Sequence, residues 1–355
     1  MNRFWSDTVR NISPYIPGEQ PKDKKYIKLN TNENPYPTSP KVIEAIRKET
    51  GSILRLYPDP EASFLKEALS DFYRLEPNQV FAGNGSDEVL AFCFPAFFNP
   101  GDIISFPEIT YSFYPVYAKL YGIGYETVAL NNDFTIDLDR FPGHVKGVLL
   151  ANPNAPTGIA IGLNEIEAFI NKHHDKLIII DEAYVDFGAE SAVPLVNDYE
   201  NLLVVQTFSK SRSLAGLRIG FALGNKNLIE ALNRVKNSFN SYTLDRIAQK
   251  AATAAIMDKE YFAGICGRIV KTREATAKKL ISIGFNVLPS KANFLFVSHD
   301  KLSGRELFTR LKADGILVRH FDMKGIENFL RISIGTDEEM EILVDRLSSY
   351  VNPVR

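Results

Sequence analysis

The sequence predicts an α/β protein with a large domain, in which a mainly parallel sheet lies between helices, and a smaller α+β domain. In the first two thirds of the chain, short apolar runs alternate with segments of helical spacing, which is typical of a parallel sheet covered on both faces. The length of 355 residues exceeds the roughly 250–300 at which one core stops growing, so two domains are expected. After about residue 245 the composition shifts toward Ala and Lys, which indicates where the second domain begins.

The chain begins with a segment rich in Pro, Asn and Lys. Its six prolines from Pro14 to Pro40 exclude a long helix. Tyr15 and Leu29 give the segment apolar groups to bury, so it is not composed like a disordered tail. We therefore expect residues 1–45 to form an ordered arm and part of the small domain.

The apolar spacing predicts the elements that follow the arm. Helices are predicted at 42–48, 62–73, 89–98, 163–172, 246–257, 261–283 and 338–350. Strands are predicted at 79–82, 102–106, 145–151, 177–180, 202–207, 218–223, 293–297, 316–319 and 329–334. This order places the large domain at 46–245 and the small C-terminal domain at 246–355.

Composition and charge narrow the class of function. The chain is 45% hydrophobic and 24% charged, which is ordinary for a soluble globular protein. Lys and Arg number 41 against 43 Asp and Glu, so no strongly basic field indicates binding to nucleic acid or to a membrane. No run of 18 apolar residues and no apolar N-terminal core is present, so we expect a cytoplasmic protein that acts on small molecules.

The cysteines and histidines do not predict a metal site. Cys93 and Cys266 lie far apart without a Cys-x-x-Cys spacing, and we expect buried or free thiols in a reducing compartment. The five histidines lack the i, i+4 spacing of a helical zinc site. We therefore expect no metal.

One tract sets a single amine among hydroxyl groups. Lys210 lies between serines, shortly after Thr207 at the end of a predicted strand and before Arg218. The preceding apolar strand stops at Asp181. Pyridoxal phosphate needs an amine to hold its aldehyde as a Schiff base, a carboxylate for its pyridinium nitrogen, and hydroxyls plus an arginine for its phosphate. Lys210, Asp181, Thr207, Ser209 and Arg218 would supply these groups.

Each of these residues also has an ordinary structural explanation. A lysine between serines is usually a solvated loop, and an aspartate after a strand often caps a helix. The combination is more specific, because Tyr184 follows Asp181 by three residues, Lys210 follows it by 29, and Arg218 follows Lys210 by eight. This order resembles the fold-type I aminotransferases. The resemblance implies a seven-stranded large-domain sheet, with Tyr184 donating its hydroxyl to the coenzyme's phenolic oxygen.

The tract Gly83–Glu88 lies between a predicted strand and a predicted helix. Small residues there let the backbone approach an anion, and free N–H groups would point at it. Taken alone, the tract is better explained as a strand-to-helix turn in which Ser86 or Asp87 caps the helix. It is not a dinucleotide-binding fingerprint, because Glu88 replaces the third glycine. With the lysine tract present, we expect Gly85, Ser86 and Asp87 to help hold the cofactor phosphate.

Two further positions follow from the resemblance. The family has an Asn-Pro-Thr-Gly turn whose Asn binds the phenolic oxygen, but this chain has Ala155 immediately before Pro156. Asn154 is the nearest replacement, with Asn152 second. Tyr111 lies where the family places an aromatic ring over the pyridine, although a half-buried core tyrosine would explain it too.

Within that family the chain most resembles the histidinol-phosphate aminotransferases. The tracts that carry the resemblance are 12–15, 29–35, 57–58, 85–88, 207–210, 214–218 and 330–336. The resemblance implies a homodimer in which Tyr57 reaches the partner's cofactor phosphate. It also implies amino transfer between L-histidinol phosphate and 2-oxoglutarate. Arg319 and Arg331 are suited to grip a substrate phosphate or carboxylate, with Tyr15 helping to close the site; an interdomain ion pair is the alternative.

Three other functions are compatible with the same residues. An aromatic or broad-range aminotransferase would use the same scaffold, and so would a threonine-phosphate decarboxylase with the same cofactor ligands. A non-catalytic cofactor-binding regulator would normally carry an added DNA-binding module, for which this chain has no spare length.

Overall fold

The computed structural model describes residues 3–352 and has eleven α-helices and thirteen β-strands within them. The helices are α1 (Asp7–Asn11), α2 (Pro40–Lys48), α3 (Ser63–Tyr73), α4 (Ser86–Phe97), α5 (Tyr114–Tyr121), α6 (Leu163–Lys172), α7 (Lys226–Phe239), α8 (Arg246–Met257), α9 (Lys259–Ser282), α10 (Gly304–Ala313) and α11 (Asp337–Val351). The strands are β1 (Ile27–Lys28), β2 (Val80–Gly83), β3 (Ile103–Pro107), β4 (Gly124–Val128), β5 (Gly147–Ala151), β6 (Leu177–Asp181), β7 (Leu202–Thr207), β8 (Gly220–Gly224), β9 (Phe285–Val287), β10 (Phe294–His299), β11 (Ile316–Leu317), β12 (Arg319–His320) and β13 (Leu330–Ser333).

A seven-stranded sheet in the order β2-β8-β7-β6-β5-β3-β4 forms the centre of the larger part. Only β8 runs antiparallel to its neighbours; the other pairs are parallel. Strands β5, β7 and β8 are buried at every position, because helices cover both faces of the sheet. The predicted mainly parallel seven-stranded sheet is therefore confirmed.

The strand directions bring several of the predicted site residues to one edge of this sheet. Parallel strands end at the same edge, so Asp181 at the end of β6 lies beside the last residues of β7. Gly220 at the start of the antiparallel β8 pairs with both Thr207 and Gly83. The loops after β2, β6 and β7 and the loop before β8 therefore converge.

The smaller part contains a four-stranded antiparallel sheet in the order β12-β13-β10-β9. Helices α9, α10 and α11 pack with it around a second apolar core that includes Leu29 and Tyr36 of the N-terminal segment. Strand β1 pairs in parallel with β11. Helix α8 packs on α2 and α3 in the core of the large sheet, and the limits expected for the domains stay a prediction.

Several elements have no counterpart among the predicted ones, namely helices α1, α5, α7 and α10 and strands β1, β4 and β9. Strand β4 was not expected, because it lies at the edge of the sheet and most of its side chains face solvent, which leaves no apolar run. The predicted strand 316–319 is divided: β11 pairs with β1, whereas β12 pairs with β13. None of the helices in residues 3–352 is both long and apolar enough to cross a membrane.

Candidate active site

The converging loops surround a cavity of about 290 Å³ between the large sheet, the small sheet and the N-terminal segment. Twelve of the fifteen residues predicted from the sequence line it. These are Tyr15, Ser86, Asp87, Tyr111, Asp181, Tyr184, Thr207, Ser209, Lys210, Arg218, Arg319 and Arg331. Gly85, Asn154 and Tyr57 are outside this lining.

Lys210 follows β7 and projects into the cavity. The Asn34 side chain donates to the Lys210 carbonyl at 3.0 Å, and the Lys210 Nζ donates to the Thr31 carbonyl at 3.2 Å. Burial disfavours the charged ammonium and, with repulsion from Arg331, lowers the pKa of Lys210 to about 8. An amine with such a pKa is suited to accept and return a proton near neutral pH.

Asp181 lies at the cavity floor and is 5% exposed. The Tyr114 hydroxyl donates to its Oδ2 at 3.0 Å, and the Ala183 N–H donates to its Oδ1 at 3.2 Å. Burial raises the pKa of Asp181 to about 6, although both hydrogen bonds oppose that rise by stabilising the carboxylate. The group is therefore suited to face a cation such as a pyridinium. Tyr114 was missed from the sequence, where it looks like any core aromatic residue.

A cradle suited to an anion also lines the cavity. The Ser209 N–H and the Thr207 hydroxyl belong to one hydrogen-bonded turn, with the two hydroxyls 3.0 Å apart. The N-terminus of α4 faces them, and Gly85 before it has φ +86°, which favours glycine. A Cβ on Gly220 would lie 2.2 Å from the Ser86 nitrogen, so β8 approaches this helix end as only glycine permits.

Asp87 connects the cradle to the aromatic wall of the cavity. Its Oδ2 accepts a hydrogen bond from the Arg218 Nη2 at 2.9 Å, and its Oδ1 accepts one from the Tyr111 hydroxyl at 2.6 Å. The Tyr111 ring packs edge-on against Tyr114, with centroids 5.6 Å apart. Asp87 thus holds Arg218 at the anion cradle and fixes the Tyr111 ring above the cavity.

These features fit pyridoxal phosphate. The amine of Lys210 and the carboxylate of Asp181 match the aldehyde and the pyridine nitrogen, and the cradle offers helix N–H groups, two hydroxyls and a guanidinium to a phosphate. The pocket therefore has a donor or acceptor for each polar end of the cofactor.

Two arginines form a cationic wall facing the cofactor groups. Arg319 and Arg331 are directly paired across β12 and β13 and line the cavity together. Neither forms a salt bridge within residues 3–352, and the buried Arg331 Nε has no hydrogen-bond partner. Each donates to a carbonyl: Arg331 to Asn30 at 3.2 Å and Arg319 to Ile16 at 3.4 Å. The interdomain ion pair considered for them is not present in the described chain, and two adjacent unpaired guanidinium groups are suited to bind an anion.

Tyr15 closes one side of this wall. Its ring is stacked on Phe113 with centroids 4.1 Å apart. The arm residues around it are held by the Arg319 contact to Ile16 and by a hydrogen bond of 2.9 Å from the Asn30 side chain to the Glu19 carbonyl. The N-terminal segment thus contributes directly to the cavity mouth.

The structure does not bring Asn154 or Asn152 to the cavity. The Asn154 amide donates to the Ile109 carbonyl at 2.9 Å and accepts from the Thr110 hydroxyl at 2.8 Å. Both polar atoms of Asn152 are bonded to the Ile161 main chain. Ala155, by contrast, lines the cavity. The loop uses both amides to hold backbone and hydroxyl groups, and a contact from Asn154 or Asn152 to the cofactor stays a prediction.

Tyr57 and Gly85 also lie outside the cavity of this chain. Tyr57 is 77% exposed and is stacked on Tyr242 with centroids 4.5 Å apart. Gly85 lies immediately behind the cradle, where a Cβ would come within 2.7 Å of the Arg218 Nη2. Gly85 therefore shapes the cradle from behind, whereas Tyr57 is directed at the surface.

Several lining residues were not singled out from the sequence as site residues. Four are alanines, namely Ala151, Ala155, Ala183 and Ala215, and the others come from the N-terminal segment: Gly18, Asn30, Thr31, Asn32 and Glu33. The signal available was the asparagine-rich tract 29–35, which an exposed loop would not need. Within the described residues, no group of three or more His, Cys, Asp or Glu side chains is arranged to hold a metal ion.

Comparisons with known proteins agree with this geometry. Residues 24–347 match the family model for aminotransferase class I and II. A histidinol-phosphate aminotransferase of Clostridium acetobutylicum is 55% identical over 351 residues, covering 99% of this chain and 100% of that protein. One of Clostridium beijerinckii is 54% identical over 347 residues, covering 98% and 97%.

A solved structure has the same architecture. The histidinol-phosphate aminotransferase of Sinorhizobium meliloti in complex with pyridoxal-5'-phosphate is 26% identical, with a TM-score of 0.90 and coverage of 98% of each chain. A match over 98% of this chain includes both the large and the small sheet. On these grounds the chain belongs to the aminotransferase class I and II family.

Proposed function

We propose that this chain is a pyridoxal-phosphate-dependent histidinol-phosphate aminotransferase, which transfers the amino group of L-histidinol phosphate to 2-oxoglutarate in histidine biosynthesis. The observation that carries the proposal is one cavity lined together by Lys210, Asp181, the anion cradle and two adjacent arginines that form no salt bridge within residues 3–352. Relatives that are 54–55% identical over nearly the whole chain bear that name. A cytoplasmic location follows from the pathway.

Each group of residues around the proposed cofactor position has a separate role in the proposed reaction. The bound cofactor supplies an electron-withdrawing ring that stabilises negative charge at the substrate carbon. Asp181 would hold the ring nitrogen protonated, and the cradle of Ser86, Thr207, Ser209 and Arg218 would bind the phosphate. Lys210 carries the proton that leaves and rejoins the substrate carbon, because its lowered pKa allows transfer in both directions.

The cationic wall provides the substrate site. Histidinol phosphate brings a phosphate and no carboxylate, whereas 2-oxoglutarate brings two carboxylates, so the site must accept anions of different shape. Arg331 can present a planar fork to either anion, and Arg319 adds a second positive charge beside it. Tyr15 covers this end of the cavity.

A substrate panel tests the proposed reaction. Histidinol phosphate, phenylalanine, tyrosine and threonine phosphate are offered with 2-oxoglutarate as acceptor. We expect the highest kcat/KM for histidinol phosphate. A higher value for the aromatic amino acids would assign a broad-range aminotransferase, and release of carbon dioxide from threonine phosphate would assign the decarboxylase.

Arg331→Lys is expected to weaken both half-reactions by about tenfold or more, corresponding to about 1.4 kcal/mol or more. The lysine keeps the positive charge but loses the two parallel N–H donors that pair with a phosphate or carboxylate. Stopped-flow measurement of each half-reaction is the test, with Arg310→Lys on the outer face of α10 as the matched control. Wild-type rates in both half-reactions would make Arg331 structural and leave Arg319 and Tyr15 to bind the anion.

The proposed homodimer explains an exposed apolar surface around Tyr57. Ile53, Leu54, Leu56, Tyr57 and Tyr242 are all at least 40% exposed, although large apolar side chains are normally buried. A second copy covering this surface would bring Tyr57 toward the partner's cofactor phosphate.

Mixing two inactive variants tests this shared site. Tyr57→Phe and Lys210→Ala subunits should form heterodimers with one site that has both native residues and one that has neither. We expect activity to rise on mixing, as measured with histidinol phosphate after the heterodimer has been isolated. If the isolated heterodimer shows no gain, Tyr57 does not serve the partner's site.

A further inference from the structure

Tyr184 is the hydroxyl expected to donate to the cofactor's phenolic oxygen. Tyr184 lines the cavity beside Lys210, whose Nζ lies 5.9 Å from the Tyr184 ring centroid. The family's second donor is an asparagine where this chain has Ala155, and the amides of Asn152 and Asn154 are bonded elsewhere. The direction of the single Tyr184 O–H bond therefore matters more here than in a site with two donors.

A buried asparagine determines how the Tyr184 hydroxyl is used. The Asn32 Nδ2 donates to the Tyr184 oxygen at 2.9 Å, and Asn32 is 1% exposed. A tyrosine hydroxyl has one hydrogen to donate and lone pairs to accept. Because the oxygen accepts from Asn32, its own hydrogen points elsewhere, and no acceptor for it is found within residues 3–352. The remaining direction is toward the cavity.

The orientation of the Asn32 amide is set by Ser333. The Ser333 oxygen accepts the Asn32 main-chain N–H at 2.8 Å, and its hydroxyl donates to the Asn32 Oδ1 at 2.9 Å. With the Oδ1 facing Ser333, the Nδ2 must face Tyr184. A flipped amide would place its NH₂ group against a Ser333 oxygen that already accepts the main-chain N–H.

The backbone and the Tyr184 ring are fixed as well. Asn32 has φ +55°, a left-handed conformation that asparagine tolerates better than most residues. The Asn293 side chain donates to the Asn32 carbonyl at 3.0 Å. The Tyr184 ring packs edge-on against Phe294, with centroids 5.1 Å apart. Because Asn32 and the Tyr184 ring are both held in place, the hydrogen bond from Asn32 leaves the Tyr184 hydroxyl one direction in which to donate.

We infer that Asn32 is a positioning residue that directs the Tyr184 hydroxyl toward the phenolic oxygen of the bound cofactor, with Ser333 orienting the Asn32 amide. The inference goes beyond the reaction proposed above and does not depend on which amino donor is used. It does rest on the proposed role of Tyr184 as a cofactor ligand. Because Ser333 lies on the small sheet and Tyr184 follows β6 of the large sheet, the contact joins cofactor binding to the fit of the two sheets.

Asn32→Asp tests the inference with little change of shape. The carboxylate can still accept from Ser333, but it cannot donate to Tyr184; instead, the Tyr184 hydroxyl turns to donate to it. Without this donor, the negative charge of the phenolic oxygen is less stabilised. The proton between that oxygen and the Lys210 nitrogen is therefore bound more tightly. We expect the pH midpoint of the bound cofactor's absorbance to rise by about one unit, as for Tyr184→Phe.

Two further variants separate positioning from other effects. Asn30→Asp places the same new charge on the cavity wall without touching Tyr184, and it should shift the midpoint less. In a Tyr184→Phe background, Asn32→Asp should raise the pH midpoint by no more than Asn30→Asp does. The inference is wrong if Asn32→Asp shifts the midpoint no more than Asn30→Asp does. It is also wrong if the Asn32→Asp shift is just as large in the Tyr184→Phe background.

Ser333→Ala provides a second measurement if Asn32→Asp does not fold. Without the Ser333 hydroxyl the Asn32 amide loses its orienting partner, so the midpoint should rise in the same direction by a smaller amount. An unchanged midpoint in Ser333→Ala would also reject the inference. If Tyr184→Phe itself leaves the midpoint unchanged, the proposed role of Tyr184 as a cofactor ligand is wrong. The titration uses no amino donor, so its result does not bear on the proposed substrate.

Discussion

Lys210→Ala is expected to lower turnover by about 10⁴-fold while the protein still binds pyridoxal phosphate. The cradle, Asp181 and the aromatic wall are unchanged in this variant, so most cofactor contacts remain. The proton carrier is lost, and a positioned acid–base group typically contributes about 10²–10⁴-fold, to which loss of the amine's covalent role adds. Single-turnover rates and cofactor binding by equilibrium dialysis measure the two effects separately.

Lys28→Ala is the matched control for the Lys210 variant. Lys28 forms a salt bridge with Glu33 at the cavity mouth, 2.7 Å away, but does not line the cavity. This variant should turn over at close to the wild-type rate. Borohydride reduction of the wild-type holoenzyme followed by peptide mapping should place the cofactor on Lys210; a label on another lysine would contradict the assignment.

Asp181→Ala is expected to cost far more activity than Tyr184→Phe. In the proposed site, the first change removes a charged partner of the ring nitrogen, whereas the second removes one hydrogen bond to the phenolic oxygen. We expect a loss of about 10²-fold or more for Asp181→Ala, since a buried ionic hydrogen bond contributes about 3 kcal/mol or more. The kcat for histidinol phosphate at saturating cofactor is the measurement.

Asp181→Asn separates the charge of Asp181 from its shape. The amide oxygen can accept from the Ala183 N–H, and the Tyr114 hydroxyl can turn to accept from the NH₂ group, yet the amide cannot hold a proton on the ring nitrogen. This variant should therefore be nearly as inactive as Asp181→Ala and more stable to unfolding. Near-normal turnover in Asp181→Asn would show that the carboxylate charge has no role at the ring.

Local sequence predicted much of the large sheet and its chemistry. Strands β6 and β7 are continuous apolar runs, and the polar residues that follow them had to meet at one sheet edge. That rule was enough to bring Asp181, Thr207 and Lys210 together. The order of the strands and the antiparallel direction of β8 are set by packing between distant segments, which no local pattern records.

The remaining parts of the site depend on contacts between distant residues. Asn154 was expected in the cavity because of its position in a motif, but its amide binds Ile109 and Thr110, which follow a different strand. Asn32 is held in the site by a hydrogen bond to Ser333, and Tyr114 donates to Asp181 from α5. Such partners are specified by the folded structure, so sequence spacing alone does not reveal them.

The pairing of β1 with β11 affects the order in which the protein can fold during synthesis. Residues 27–28 hydrogen-bond to residues 316–317, and the Asn32 main chain bonds to Ser333, 301 residues later. The large sheet is complete once β8 has been made, but the N-terminal segment has to wait for almost the entire chain. A nascent chain can therefore assemble the floor of the cavity well before its mouth, and the wall formed by Arg319 and Arg331 is added last.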